Sequence, residues 1–114
     1  MLNLLINAVK FSPANDTINV EISYTIVDCA GEDSQDSSKV LLSVIVQDYG
    51  PGISQEDQEK LFKPFETLKN MKKINPNGVG LGLYVSKVIC EKLKGDIACF
   101  SNGPGSGTTF EFRI

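Results

Sequence analysis

Histidine and tryptophan are absent from the 114-residue chain, and cysteine occurs only three times. Without histidine, the chain has no Ser-His or Cys-His nucleophile pair and lacks the commonest side-chain metal ligand. Cys29, Cys90 and Cys99 have no CxxC spacing, which argues against a zinc site and a disulfide framework. We therefore expect reduced thiols and a cytoplasmic location, with any membrane attachment made by a longer parent protein.

The chain also has little positive charge and no long hydrophobic run. Its 11 basic residues face 14 acidic ones, for a net charge of -3, so no basic field is available for a nucleic-acid backbone. The apolar opening MLNLLINAVKF is too short to span a bilayer and has no basic flank. One globular domain is expected, with no nucleic-acid partner and no direct membrane insertion.

Hydrophobic spacing predicts the order helix, two strands, helix, helix, two strands. The first strand, within 17–27, alternates strictly between apolar and polar residues, so one of its faces is expected to be buried. The other strands are predicted at 40–47, 97–100 and 108–114. This order favours an α+β two-layer sandwich, with helices packed on one face of a mixed, mainly antiparallel sheet.

Each predicted helix has its own signal. The first is apolar and ends at Ser12-Pro13, and the second follows Ser54, which forms an S-x-x-D capping box with Asp57. The third is expected to begin near Gly82 and to end at a C-cap on Gly95. The apolar residues at helical spacing are Leu2, Leu5, Ile6 and Val9 in the first helix, and Leu83, Val85, Val88, Ile89 and Leu93 in the third.

Glycines alternate with apolar residues in GVGLGL, immediately before the third helix. Backbone N–H groups in a glycine-rich turn that leads into a helix N-terminus form an anion pocket, and glycine lets a phosphate approach without a Cβ clash. A close helix–sheet contact would suit the same pattern. The candidate phosphate-binding residues are Gly78, Val79, Gly80, Leu81, Gly82 and Leu83.

Asp48 ends the predicted second strand and opens the stretch DYGPGI, which contains Gly50, Gly52 and Ile53. A carboxylate only accepts hydrogen bonds, so beside glycines that admit a flat ring it suits the exocyclic amine of adenine. As a lone motif, D-x-G-x-G is more often a tight turn.

Asn3 and Asn7 are four residues apart on the first helix, with Lys10 one turn further on, so the three share one face. Amide carbonyl oxygens are hard ligands of the kind that Mg²⁺ accepts beside nucleotide phosphates, and Lys10 could add a charge contact.

Together, and in this order, the motifs resemble the ATP-binding domain of sensor histidine kinases. NLLINAVKFSP is similar to the N box, DYGPGI to the G1 box, LFKPFE to the F box, GVGLGL to the G2 box and GSGTTF to the last box. The resemblance covers nearly the whole chain. It implies a Bergerat-type fold that holds ATP and Mg²⁺ between the N-box helix and the glycine boxes, under a mobile lid at 66–77.

The resemblance also implies roles for single residues. Asn7 is expected to hold Mg²⁺ with help from Asn3, and Lys10 to contact phosphate, which makes Asn7 and Lys10 the candidate catalytic residues. Asp48 is expected to bind the adenine amine, and Thr108 to support adenine through its hydroxyl. The other implied contacts are Gly50, Gly52 and Ile53 near adenine, Phe62 and Phe65 at the base of the lid, and Gly78, Gly80 and Gly82 around the triphosphate.

Three functions remain open at this point. The first is transfer of the γ-phosphate of Mg-ATP to a histidine on another domain or chain, in a two-component phosphorelay. Its partners would be a histidine-bearing dimerisation domain and, indirectly, a response regulator or receiver domain. The second is nucleotide binding that regulates a partner without transfer. The third is ATP hydrolysis of the chaperone, gyrase or mismatch-repair type.

Position 3 discriminates against hydrolysis. Those hydrolases resemble one another in having a glutamate four residues before the magnesium-binding asparagine, whereas this chain has Asn3 there. An amide cannot serve as a general base. Residues 1–114 are expected to form a single ATP-binding domain that lacks the family's N-terminal strand region and its phosphoacceptor helical domain, so it cannot phosphorylate itself on histidine.

Overall fold

A computed structural model gives the fold and describes residues 1–28, 38–64 and 81–114. The predicted order of helices and strands is confirmed. The elements are α1 (Leu2–Phe11), β1 (Asn19–Asp28), β2 (Ser38–Asp48), α2 (Gln55–Gln58), α3 (Gly82–Lys92), β3 (Asp96–Phe100) and β4 (Thr108–Arg113).

The strands form one sheet in the order β1-β2-β4-β3, and every pairing among the described strands is antiparallel. Helix α1 packs on β2 and α3 packs on β3, and the two helices also contact each other. The predicted α+β sandwich with helices on one face is therefore confirmed. Within the described ranges, no helix is long and apolar enough to cross a membrane.

The core lies between these two helices and the central strands. Val44 and Val46 of β2 pair with Phe112 and Phe110 of β4, and all four side chains are buried. Ile97 of β3 pairs with Phe112 from the other side and is also buried. This row of apolar side chains forms the floor on which α1 and α3 lie.

Helix α1 buries a different stripe from the one that its apolar spacing predicts. Leu4 and Ala8 face the sheet and are 1% and 2% exposed, whereas Leu2, Ile6 and Val9 are exposed. The helix is apolar on nearly every side, so spacing alone does not select a face. Ala8 has the smallest side chain on the helix, and with it the helix can approach the sheet closely.

The expectation that β1 buries one face is wrong. Val20, Ile22, Tyr24 and Ile26 point to the same side of the sheet as the core residues of β2, but all four are exposed. Among the described residues, the helices cover β2, β3 and β4 and leave β1 bare. Alternation correctly predicts a strand, but it does not reveal whether another layer covers it.

Helix α3 also differs from its sequence pattern. Ser86 and Cys90 are its buried residues, while Val85, Ile89 and Leu93 are exposed. The left-handed residue at its C-terminus is Lys94, with φ 60°, and not the predicted Gly95. The Gly95 N–H donates to the Cys90 carbonyl at 2.8 Å and the Lys94 N–H donates to that of Glu91 at 3.0 Å, which is a Schellman motif.

Gly95 is required for a different reason. A Cβ at this position would overlap the backbone carbonyl of Arg113. The glycine therefore allows the end of α3 to lie directly against the end of β4.

A pair of identical substitutions tests this burial pattern. Val20 and Val46 are cross-strand partners, yet they are 46% and 1% exposed. Val46→Ala should lower the free energy of unfolding by about 2 kcal/mol, because it removes buried methyl groups and leaves a cavity. Val20→Ala should cost less than about 1 kcal/mol. Urea denaturation measures both values, and equal costs would contradict the exposed position of β1.

Candidate functional site

Helix α1 connects two parts of the chain that the sequence motifs single out. At its C-terminal end, the carbonyl of Phe11 lies so close to Gly50 that a Cβ there would be 2.6 Å from the oxygen. At its N-terminal end, Asn3 Nδ2 donates to the Gly82 carbonyl at 3.1 Å. Asn3 and Phe11 are separated by about 12 Å along the helix axis, at 1.5 Å per residue.

Asp48 lies at the Gly50 end of this site. It is 4% exposed, and its Oδ1 accepts the Gly50 N–H at 2.9 Å. Burial raises the pKa of the Asp48 carboxyl above its ordinary value, against the opposing effect of backbone N–H groups of Gly50 and Thr108. A buried carboxyl group in its ionised form is a strong hydrogen-bond acceptor.

The turn after Asp48 is fixed by close backbone contacts. Gly52 has φ +69°, and a Cβ there would overlap the Gly103 carbonyl, so glycine is required on both grounds. The next residue, Ile53, is buried in the core, and its N–H donates to Ser101 Oγ at 3.0 Å. Gln58 Nε2 donates to the carbonyls of Ile53 and Ser101 at 3.0 and 2.9 Å.

Helix α3 begins at the other end of the site, and its N-terminus has no side-chain cap from the described residues. Its N-cap residue is Leu81, which makes no side-chain cap bond, and the first turn contains no acidic residue. The first N–H groups of a helix have no partner within the helix and carry its positive dipole end. By contrast, Ser54 caps α2 through a 3.2 Å bond from the Asp57 N–H, as the sequence predicts.

Gly82 has no steric need to be glycine within the described part of the chain. A Cβ at this position would meet only the Asn3 amide, at 3.7 to 3.9 Å, which is ordinary contact distance. Glycine costs about 1 kcal/mol relative to alanine in a helix interior. The fold therefore does not explain the choice of glycine at the start of α3.

Of the three polar residues that share one face of α1, only Asn3 is seen to hydrogen-bond to α3 in the described part of the chain. Asn3 and Asn7 are partly exposed and Lys10 is exposed. The Lys10 ammonium forms no salt bridge within the described ranges. The Lys10 side chain also borders an open groove of about 400 Å³ with Leu5, Ile6 and Val9.

The remaining predicted residues are placed as follows. Thr108 is buried and pairs with Asp48 across β2 and β4. Phe62 and Leu83 are partly buried against the core, and the Lys87 ammonium lies 5.8 Å from the centre of the Phe62 ring. Gly78, Val79, Gly80, Phe65 and the proposed lid at 66–77 lie outside the described residues.

Sequence reasoning missed Ser86 and Ser101. Ser86 Oγ donates to the Gly82 carbonyl at 3.0 Å and accepts Asn3 Nδ2 at 3.3 Å. Ser101 Oγ accepts the Ile53 N–H and donates to the Gly107 carbonyl at 2.7 Å. The available signal was a serine within the apolar stripe of α3, since hydroxyls in helices often bond a carbonyl one turn earlier.

The two described cysteines are free thiols. Burial and the nearby charge of Asp48 raise the pKa of Cys99 to about 12, and burial raises that of Cys90. Both thiols are therefore protonated and unreactive at neutral pH.

Comparison with known proteins identifies relatives of the chain. Residues 1–114 match the family model described as histidine kinase-, DNA gyrase B- and HSP90-like ATPase. The chain is 35% identical over 114 residues to the "Non-motile and phage-resistance protein" of Caulobacter vibrioides, covering 100% of this chain and 12% of that protein. It is 34% identical over 110 residues to "Sensor histidine kinase GacS" of Pseudomonas protegens, covering 96% of this chain and 11% of that protein.

A plant protein and solved structures extend the comparison. "Histidine kinase 2" of Arabidopsis thaliana is 36% identical over 84 residues, covering 74% of this chain and 7% of that protein. The mycobacterial sensor histidine kinase MprB superposes with a TM-score of 0.65 at 22% identity, covering 99% of this chain and 65% of that one. The crystal structure of full-length ShkA in complex with AMPPNP superposes with a TM-score of 0.62 at 23% sequence identity, covering 99% of this chain and 20% of that one.

The buried carboxylate of Asp48 generates a pH prediction. Because its folded pKa is raised, Asp48 contributes stability below its unfolded pKa and loses that contribution as pH rises through the folded pKa. We expect the free energy of unfolding of Asp48→Asn, measured relative to the unsubstituted chain, to increase between about pH 4 and pH 7. Urea denaturation at several pH values measures this difference.

Glu111 supplies a control of opposite sign. Its hydrogen bond to Arg113 lowers the pKa of Glu111 below its ordinary value of 4.5, so the relative stability of Glu111→Gln should fall as pH rises toward about 4.5 and stay level above it. The free energy of unfolding of Asp48→Asn, relative to the unsubstituted chain, could instead be independent of pH or fall with pH as that of Glu111→Gln does. Either result would show that Asp48 is not a desolvated carboxylate.

Proposed function

We propose a function for this chain from the premise that it belongs to the family of histidine kinase-, DNA gyrase B- and HSP90-like ATPases. The chain is an ATP-binding catalytic domain of the sensor histidine kinase type, as its similarity to sensor kinases over nearly its full length indicates. It spans about 12% of the first relative, so the reaction, acceptor and partners given below are proposals.

The single observation that carries the proposal is the placement of two unlike recognition groups at opposite ends of α1. A buried carboxylate acceptor lies at one end, and an uncapped helix N-terminus lies at the other. The stretch of α1 from Asn3 to Phe11, which runs between them, rises about 12 Å, and this length suits an extended nucleoside triphosphate, with the base at Asp48 and the phosphates at α3. The first N–H groups of α3, which no described side chain caps, suit an anion.

Adenine recognition is assigned to the Asp48 end. The carboxylate would accept the exocyclic amine, with Gly50, Gly52 and Ile53 alongside the ring and Thr108 supporting it through its hydroxyl. Guanine has a carbonyl in place of that amine, so two acceptors would face each other. ATP should therefore bind more tightly than GTP.

Mg²⁺ fits the donors at the α3 end. The described residues contain no cluster of three or more acidic, histidine or cysteine side chains, so they offer no separate protein cage for a metal. Asn7 and Asn3 carry amide oxygens, which suit an ion that arrives largely coordinated by phosphate and water. Mg²⁺ would neutralise charge on the phosphates, and Lys10 would add a second positive charge.

Transfer to histidine is favoured over hydrolysis. Asn3 Nδ2 is engaged by Gly82 and Ser86, and an amide cannot take a proton from water. Phosphoryl transfer depends mostly on positioning and charge stabilisation, which this site could provide to an acceptor on another domain. We propose that this acceptor is a histidine-bearing dimerisation domain, that a receiver domain acts downstream, and that the reaction occurs in the cytoplasm.

Roles outside the described residues rest on the motifs alone. These are the contacts of Gly78, Val79 and Gly80 with the triphosphate, and a lid at 66–77 whose base would include Phe65 together with the described residue Phe62. The assignment of residues 1–114 as a single domain has the same basis.

Gly82→Ala tests the phosphate end of the site. The added methyl group meets no steric conflict among the described residues and improves helix propensity, so the free energy of unfolding should stay the same or rise by up to about 1 kcal/mol. Mg-ATP affinity should fall, because the methyl group occupies the surface that a phosphate would approach. Isothermal calorimetry and thermal unfolding measure the two effects.

Ser43→Ala is the control for binding, since Ser43 bonds Glu111 on the other face of the sheet. Unchanged ATP affinity in Gly82→Ala would show that the phosphates do not bind at the N-terminus of α3. If the unsubstituted, folded chain binds neither ATP nor GTP, the proposed function fails.

A transfer assay discriminates among the three functions. With γ-labelled ATP and a separately supplied histidine-bearing dimerisation domain of a sensor kinase, we expect acid-labile label on that domain and negligible release of phosphate by the chain alone. Asn7→Ala should abolish the labelling. Rapid hydrolysis with no transfer would favour the ATPase function, and tight binding with neither activity would favour a regulatory module.

A further inference from the structure

Asn3, Gly82 and Ser86 form a closed hydrogen-bonded cluster between α1 and α3. The Gly82 carbonyl accepts Asn3 Nδ2 at 3.1 Å and Ser86 Oγ at 3.0 Å. Ser86 Oγ in turn accepts Asn3 Nδ2 at 3.3 Å. The Gly82 carbonyl oxygen and Ser86 Oγ are only 3.0 Å apart, so both lie on the same side of the Asn3 amide nitrogen, which shares its hydrogen bond between them, and the single O–H of the serine is used by the Gly82 carbonyl.

This arrangement permits only one orientation of the Asn3 amide. A carbonyl oxygen can only accept, so the amide nitrogen must face Gly82, and a flipped amide would place two oxygens in contact. The Oδ1 atom consequently points away from the cluster. It has no hydrogen-bond partner among the described residues.

Ser86 is an unusual choice for its position. It is 9% exposed and lies within helix α3, where alanine would be about 0.5 kcal/mol more favourable. Its hydroxyl is satisfied through the two contacts of this cluster. No sequence motif assigns this residue a role.

We propose that Ser86 is a positioning residue, which together with the Gly82 carbonyl locks the Asn3 amide so that its oxygen faces the phosphates and Mg²⁺. This inference rests on the proposed function. It separates two tasks of one side chain: the nitrogen of Asn3 ties α1 to α3, and the oxygen is thereby presented to the ligand. Ser86 itself would not contact the nucleotide.

The first test needs no nucleotide. The side-chain amide proton of Asn3 that faces the Gly82 carbonyl and Ser86 Oγ, observed by NMR in the free chain, should exchange with water more slowly than the other proton of the same amide, because it is the hydrogen-bonded one. In Ser86→Ala one of its two acceptors is lost, so the exchange of this proton should be several-fold faster. Ser86→Thr retains a hydroxyl and should restore slow exchange. Equal exchange rates in Ser86→Ala and the unsubstituted chain would show that Ser86 does not hold the Asn3 amide and that the cluster does not form in solution.

The second test is the ratio of ATP affinities measured with Mg²⁺ and with EDTA. Ser86→Ala should reduce this ratio roughly three- to tenfold, the effect of one hydrogen bond, while ATP affinity in EDTA changes less than twofold. A merely structural role would weaken binding equally in both conditions. Ser43→Ala, the same chemical change on the other face of the sheet, should leave the ratio unchanged.

The outcomes separate this inference from the function on which it rests. If the unsubstituted chain binds ATP with a Mg²⁺ effect but Ser86→Ala retains the full ratio, only the positioning role is wrong. If the unsubstituted chain binds no ATP, the proposed function fails and the inference fails with it, whereas the exchange experiment still decides whether the cluster exists. Thermal unfolding of each variant verifies that it is folded.

Discussion

The bond from Asn3 Nδ2 to the Gly82 carbonyl joins residues 79 positions apart in the sequence. It sets the start of α3 against α1, and the close approach of Gly50 to Phe11 sets the end of β2 against the other end of the same helix. The site therefore exists only when the chain is folded, because its two halves come from distant segments. The length of α1 sets the distance between these two halves.

Several residues at the proposed binding positions are less favourable for folding than the alternatives would be. Asp48 loses hydration on burial, which raises its pKa. The first turn of α3 lacks the side-chain cap that α2 has, and Gly82 forgoes the helix propensity of alanine. Departures from local folding preference of this kind are expected at functional sites.

The sequence predicted the order of elements and the placement of Asp48, because turn chemistry and alternation are local signals. It did not predict which face of α1 is buried, since Leu2, Leu4, Ile6 and Val9 are all apolar and only tertiary contact selects Leu4. It also failed at β1, where burial depends on a second layer. Ser86 was missed because its partner Asn3 is remote in sequence, and the local signal, a serine within the apolar stripe of α3, does not identify that partner.

The most direct test of the central claim is an NMR titration of backbone amides with fragments of the nucleotide. Adenosine should shift the Gly50 amide and leave that of Leu83 unchanged, inorganic triphosphate should do the reverse, and ATP should shift both at a single affinity. If adenosine and triphosphate shift the same amides, or if ATP shifts only one end of α1, the nucleotide does not span this helix and the account is wrong.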